Sequence, residues 1–315
     1  MSADAHEITR WVEQHSEPFA LDGGLAGLPG GGSIAQADVL GIAATTRLTG
    51  ELTVAADVLI RAAVGDHGFR AVLIEGTDGE YATGSALDRY VTAGEGDPVA
   101  LLRASQGFLH TRETLDLVEW LRNWSVEHPD DPVRVVHGSG REPVPTDLAG
   151  IESELAGLSL GWLERTGQRI VHWGGTAHLV AAAPRLLGEA PLEKGAAAGH
   201  RLRATLGSRY ALLVLTFGGG ELLGSPVLPA GPDLVESAFE GVPGRAFQLD
   251  LAELAEAPAD VVAWWRRTLR TRCVGPVYGS GNAADAWVEI PAPGPLADGF
   301  VHVAKVGPPH FLAGA

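Results

Sequence analysis

Apolar positions recur along this chain in two rhythms, and the alternation between them predicts the fold class. Residues 4–16 carry helical spacing, with Ile8, Trp11 and Val12 on one side. Asp38 to Ile42 is a short apolar strand. Residues 51–64 return to helical spacing, with Leu52, Ala55, Ala56, Leu59 and Ala63 on one stripe, and Gly68 closes the helix. Phe69 to Ile74 reads as a buried strand, Leu115 to Trp124 as an amphipathic helix, and Val133 to Val136 as another buried strand. Past a polar break at 138–147, a helix is predicted over about 148–165 and a strand over 169–173. An Ala-rich helical stretch is then predicted to about Leu206. The strand Tyr210–Phe217 follows, then a helix at 232–239, a strand at 246–249, a helix at 260–270 and a last strand at 299–306. Strand and helix alternating in this way predict an α/β fold with a largely parallel sheet flanked by helices.

The break at 138–147 suggests two related halves. The expected organisation is an N-terminal helix with a Gly-rich connection (1–36), a first α/β half (37–140) and a second (141–315), which could also form one continuous domain. The Gly-rich run 21–33 precedes a strand and has no nearby Lys, so it reads as a connection and not as a phosphate-binding loop.

Composition narrows the chemistry. Thirty-nine acidic residues stand against 23 basic ones, a formal net charge of −16. A charge this negative disfavours a nucleic-acid backbone or an anionic membrane as partner. The single Cys273, expected just after a helix, leaves no internal disulfide and no multi-cysteine metal site. Only Lys194 and Lys305 are lysines, one in a helical connection and one on the last strand, which argues against a Schiff base. G-x-S-x-G occurs once, at 157–161, inside a predicted helix and not at the strand-to-helix turn that a nucleophile elbow needs; no H-E-x-x-H occurs, and the histidines lack ligand spacing, so no metal and no cofactor is expected. The Trp264–Trp265 pair reads as core, and Arg266, Arg267, Arg270 and Arg272 as a solvated helix end. No signal-peptide-like start and no long apolar run is present, so a cytoplasmic protein is expected.

In parallel sheets, ligands gather outside the carboxyl ends of the strands. Glu75 directly follows one predicted strand, and Thr45 and Thr46 follow another. His137 ends a third, His172 lies within a fourth, and His178 comes just after it. A carboxylate and one or two imidazoles at one sheet edge could support acid/base chemistry. Glu75 could equally cap a helix or pair with an Arg. His178 could equally be a helix-start residue bonded to backbone. For His137 and His172 the structural reading is the stronger.

Several ordered pieces resemble the erythromycin esterase-like (succinoglycan biosynthesis-like) family. They are VLGIAATTRLTGEL (39–52), HGFRAVLIEG (67–76), SALDRYVTAGEGDP (85–98), TRETLDLVEWLRNW (111–124) followed by VRVVHG, RIVHWGGTAHLV (169–180) and LLVLTFGGG (212–220). The resemblance implies an α/β fold with two related halves and a site between them. Family esterases open a macrolide lactone with water activated by a His, supported by Glu, Arg and further His residues, and use no serine nucleophile. The helical insertion between the halves is shortened here.

Residue by residue, the resemblance implies a degenerate site. The L-G-E-x-x-H motif has Ile42 at its Glu position and Thr45 or Thr46 at its His position. Glu51 matches the next family Glu, and Ala56 stands where an Arg is expected. Glu75 is kept. In the WAHNxH motif, Gly175 and Thr176 replace the first His and the Asn, while His178 is kept. Glu75 and His178 are therefore the catalytic candidates. Thr45, Thr46, Glu51, Glu80, His137, Gly175 and Thr176 are the substrate-binding candidates. The expected activity is tailoring of a small-molecule or peptide natural product in secondary metabolism, by cyclisation, elimination, isomerisation or residual hydrolysis. The alternative is an inactive pseudoenzyme that binds a ligand. A partner enzyme or a second copy of the chain is a candidate partner.

Overall fold

A computed structural model describes residues 5–22, 28–29, 31–77, 82–138, 145, 147–181, 186–187, 190–191, 196–222, 224–227, 229–275, 286–290 and 297–313. Its helices are α1 (Ala5–His15), α2 (Gly31–Gln36), α3 (Gly50–His67), α4 (Gly84–Ala93), α5 (Pro98–Arg103), α6 (Arg112–Glu127), α7 (Leu148–Thr166), α8 (Thr176–Leu179), α9 (Ala198–Leu206) and α10 (Ala259–Arg266). Its strands are β1 (Ser16–Pro18), β2 (Val39–Ala44), β3 (Ala71–Ile74), β4 (Arg134–Val135), β5 (Ile170–Gly175), β6 (Leu186–Leu187), β7 (Ala190–Pro191), β8 (Tyr210–Leu222), β9 (Ser225–Pro226), β10 (Ala246–Asp250), β11 (Leu269–Arg272), β12 (Trp287–Ile290) and β13 (Gly299–Val306).

The main sheet has the order β1-β10-β13-β8-β2-β5-β3-β4, with β9 beside β8. From β13 to β4 every neighbouring pair is parallel. The apolar runs VLGIAA and AVLI explain this. Every residue in both is buried, as parallel strands covered on both faces require. One face packs on α3 and α6 through Leu52, Leu59, Leu115 and Leu121. The other packs on α1, α7, α9 and α10 through Trp11, Leu155, Leu202 and Trp265. The result is an α/β fold. Strands from before and after residue 140 interleave within it: β5 lies between β2 and β3, and β2 lies between β5 and β8. A smaller antiparallel sheet has the order β11-β12-β6-β7.

Three expected helices are corrected. Among the described residues, the Ala-rich stretch is helical in α8 and α9, with β6 and β7 between them; Pro191, on β7, is incompatible with an unbroken helix there. The helix expected at 232–239 shrinks to a 3-10 turn, Val235–Ala238. The helix expected to reach Arg270 ends at Arg266, and its remainder becomes β11. Arg270 and Arg272 are therefore strand residues, and Arg272 is buried. Cys273 follows that strand and not a helix.

Candidate active site

Strand order brings the site together. Glu75 leaves the end of β3, and its N–H donates to Trp173 O on β5 at 3.0 Å. Because β5 lies between β2 and β3, the β5–α8 turn stands beside both the loop after β2 and Glu75. Gly174 makes room for this approach: a Cβ there would lie 2.5 Å from Glu75 Oε2. The next residue, Gly175, donates its N–H to the same Oε2 at 2.8 Å. Arg47, on the loop after β2, pairs with Glu75 Oε1 and donates to Glu75 O at 2.9 Å. Its guanidinium lies over the Phe108 ring, 3.6 Å from the centroid.

His178 stands on α8, one turn past Gly175. Its Nε2 is 3.7 Å from Glu75 Oε1, and its Nδ1 is 2.8 Å from Glu152 Oε1. Glu152 comes from α7 and is fully buried. Its second oxygen accepts the Ala198 N–H at the start of α9, at 2.7 Å. The α8–α9 junction is tight. A Cβ on Gly199 would lie 1.8 Å from Leu179 O, and Tyr210 donates its hydroxyl to that carbonyl at 2.7 Å. His172 lies deeper on β5, fully buried, with Nδ1 3.1 Å from Ser159 Oγ on α7.

Electrostatics assign charge states. Burial pushes the Glu75 carboxyl up. The Arg47 guanidinium, then His178 and the Gly175 N–H, outweigh it and hold the carboxyl at about 2. Glu75 is thus an anion near pH 7. Burial drives His172 down to about 4, against the pull of Glu75, so its ring is neutral near pH 7. Of these groups, His178 has the more open side chain, 22% exposed against 11% for Glu75 and 9% for Arg47.

The other expected residues differ in where they lie and what they touch. Thr176 is buried, and its hydroxyl donates to Ala43 O at 3.3 Å. Thr46 Oγ1 accepts the Leu48 N–H at 3.2 Å. Thr45 is also buried, and its Oγ1 has no hydrogen-bond partner among the described residues. Gly175 acts through its N–H, as above. The His137 Nδ1 lies 2.8 Å from Gly138 O. Glu51 does not join the group: it accepts the Gly307 N–H at 2.9 Å and lines a separate cavity of about 420 Å³ with Glu113, Arg245 and His310. Glu80 lies outside the described residues.

Two members escaped the sequence reading. Glu152 carried a usable signal, since it shares the buried stripe of α7 with Leu155, Ala156, Ser159 and Trp162; a carboxylate on an apolar stripe needs a buried partner. Arg47 carried none, because a loop has no periodicity.

The sequence profile described as erythromycin esterase matches residues 64–140 and 158–306, more than half of the chain. This chain belongs to the erythromycin esterase family. Solved structures agree on the fold. A succinoglycan biosynthesis protein has a TM-score of 0.77 at 13% identity, over 98% of this chain and 99% of that one. A Bacillus cereus protein has a TM-score of 0.73 at 17% identity, over 98% and 99%. A mutant of the erythromycin esterase EreC, in its open conformation, has a TM-score of 0.61 at 12% identity, over 88% and 93%. No protein of curated function matches the sequence. Among the described residues, no three His, Cys, Asp or Glu side chains converge as a metal site, and no helix is long and apolar enough to cross a membrane.

Proposed function

We propose that this family member is an acid/base enzyme acting on a small-molecule or peptide natural product, with His178 as its proton-transfer group. The carrying observation is the line Glu152–His178–Glu75, with contacts of 2.8 Å and 3.7 Å on the two ring nitrogens. A partly exposed imidazole with a buried carboxylate on one nitrogen and a fixed anion beside the other is suited to exchanging a proton. Glu75, ionised and held by Arg47, stabilises positive charge that develops on the ring and is too weak a base to take the proton itself.

The first family motif has Thr45 and Thr46 where a water-activating His would stand, which moves the reading away from macrolide hydrolysis. Cyclisation, elimination or isomerisation needs only one positioned proton acceptor. A second reading, a binding protein on an inactive scaffold, draws on one observation: both Glu75 oxygens are engaged, by Arg47 and by Gly175.

The test is turnover of a panel of lactones, esters and dehydrated peptides, with wild type and His178→Ala compared by mass spectrometry. The enzyme reading expects a transformed compound with wild type and a loss of about 10²–10⁴ in rate with the variant. Equal turnover by both proteins would sink it. Binding of panel members without turnover would favour the second reading.

A further inference from the structure

We infer that Glu152 is a positioning residue that fixes the tautomer of His178 and so selects Nε2 as the proton-exchanging atom. An ionised carboxylate can only accept hydrogen bonds. With Nδ1 2.8 Å from Glu152 Oε1, an ionised Glu152 puts the ring proton of neutral His178 on Nδ1 and leaves the lone pair on Nε2. That nitrogen faces Glu75 Oε1 at 3.7 Å, too long for a direct hydrogen bond.

The anchoring of Glu152 makes the selection stringent. Its side chain is fully buried; Oε1 meets the His178 ring, and Oε2 accepts the Ala198 N–H at 2.7 Å. The backbone donor cannot be turned off. The carboxylate is therefore oriented by α9 before it meets the imidazole, and α7 supplies it from its buried stripe. Among the described residues, charged and titratable groups reach the ring from four elements: Glu152 on α7, Glu75 after β3, Arg47 after β2 and His172 on β5.

Glu152→Gln gives a directional expectation. A glutamine has one acceptor oxygen and one donor nitrogen. If the oxygen stays on the Ala198 N–H, the amide NH₂ faces Nδ1 and can only donate to it. The ring proton must then move to Nε2. The isosteric substitution should invert the tautomer and leave the packing of α7 in place. A merely structural Glu152 would not produce that signature.

The experiment is nitrogen-15 NMR of the full-length protein with labelled histidine, His178 being assigned by comparison with His178→Ala. At a pH where His178 is neutral, wild type is expected to show Nδ1 protonated and Nε2 bare, and Glu152→Gln the reverse. Ser159→Ala, on the same helix face but against His172, should leave the His178 tautomer unchanged. The inference is overturned if wild type carries the proton on Nε2, a result that does not depend on Glu152→Gln folding, or if Glu152→Gln keeps the wild-type tautomer. The catalytic meaning of the tautomer rests on the proposed proton transfer. An inverted tautomer with undiminished turnover would break that function and leave the positioning intact.

Discussion

Two groups built from the same residue types behave differently in this molecule. One is Glu75, His178 and Arg47 beside the β3 and β5 ends. The other is Glu236, His302 and Arg272, built around β8, β11 and β13. In the first, the guanidinium pairs with the carboxylate. In the second, Arg272 spends its side chain on the carbonyls of Phe217 and Gly218 at 3.2 and 3.0 Å. Glu236 there is held by the Thr216 and Thr271 hydroxyls and the Arg272 N–H. His302 lies between the Phe239 and Phe247 rings, 5.1 and 5.2 Å from their centroids, and is 3% exposed. The second group sews β11 and the Val235–Ala238 turn onto the sheet. Residue type does not separate the two groups. Contact with water and the direction of the guanidinium do.

The largest expected effect that could break this contrast is on turnover. His178→Ala should lower kcat by about 10²–10⁴, whereas His302→Asn should leave kcat near wild type and lower only the melting temperature. Steady-state kinetics on any substrate found would decide it, and an equal loss in both variants would erase the distinction.

Next in size is the ion pair. Glu75→Gln leaves the Arg47 guanidinium buried beside a neutral amide and should cost roughly 3–5 kcal/mol in denaturant unfolding, the range for breaking a buried pair. Thr271→Val removes one of the donors to Glu236 and should cost less, about 1–3 kcal/mol. A reversed order would mean that the hydroxyl network carries more of the stability than the ion pair.

The effect that is smallest per step, here per pH unit, is the pH dependence. Burial lowers His172 from 6.5 to about 4, and burial followed by Arg272 lowers His302 from 6.5 to about 3. The unfolded chain therefore binds these protons first, and stability is lost as pH falls from about 6.5 towards those values. Glu75 acts lower down. Held at about 2 against an ordinary 4.5, it contributes stability that is present above 4.5 and is lost as pH falls towards 2. Thermal unfolding across pH 3–7 should show a loss of up to about 1.4 kcal/mol per pH unit for each histidine, and His302→Asn should flatten its share. An unchanged slope would show that His302 is not buried neutral.

The pattern of apolar positions reached far into the fold. β2, β3, β5, β8, β10 and β13 and helices α1, α3, α6 and α7 lie where the spacing predicts them, because burial on one stripe or on both faces leaves a local trace. The failures share a cause. Ala-rich residues between Ala181 and Leu206 satisfy helix propensity without specifying a face, so the prolines and the small sheet decide the outcome. At 260–270 the apolar spacing of α10 ran into a strand whose arginines look like a solvated helix end. In the candidate site, Glu75 and His178 were legible because strand ends are positions a sequence can mark.

Alone, the sequence determined which segments are buried strands and which residues leave their ends, since hydrophobic periodicity is local. The tertiary structure decided the company those residues keep. Insertion of β5 between β2 and β3 brings Gly175 to Glu75 across 100 residues, Arg47 to Glu75 across 28 and Glu152 to His178 across 26. Strand order follows from the crossovers and from packing on both sheet faces, a property of the whole chain that no window of residues contains.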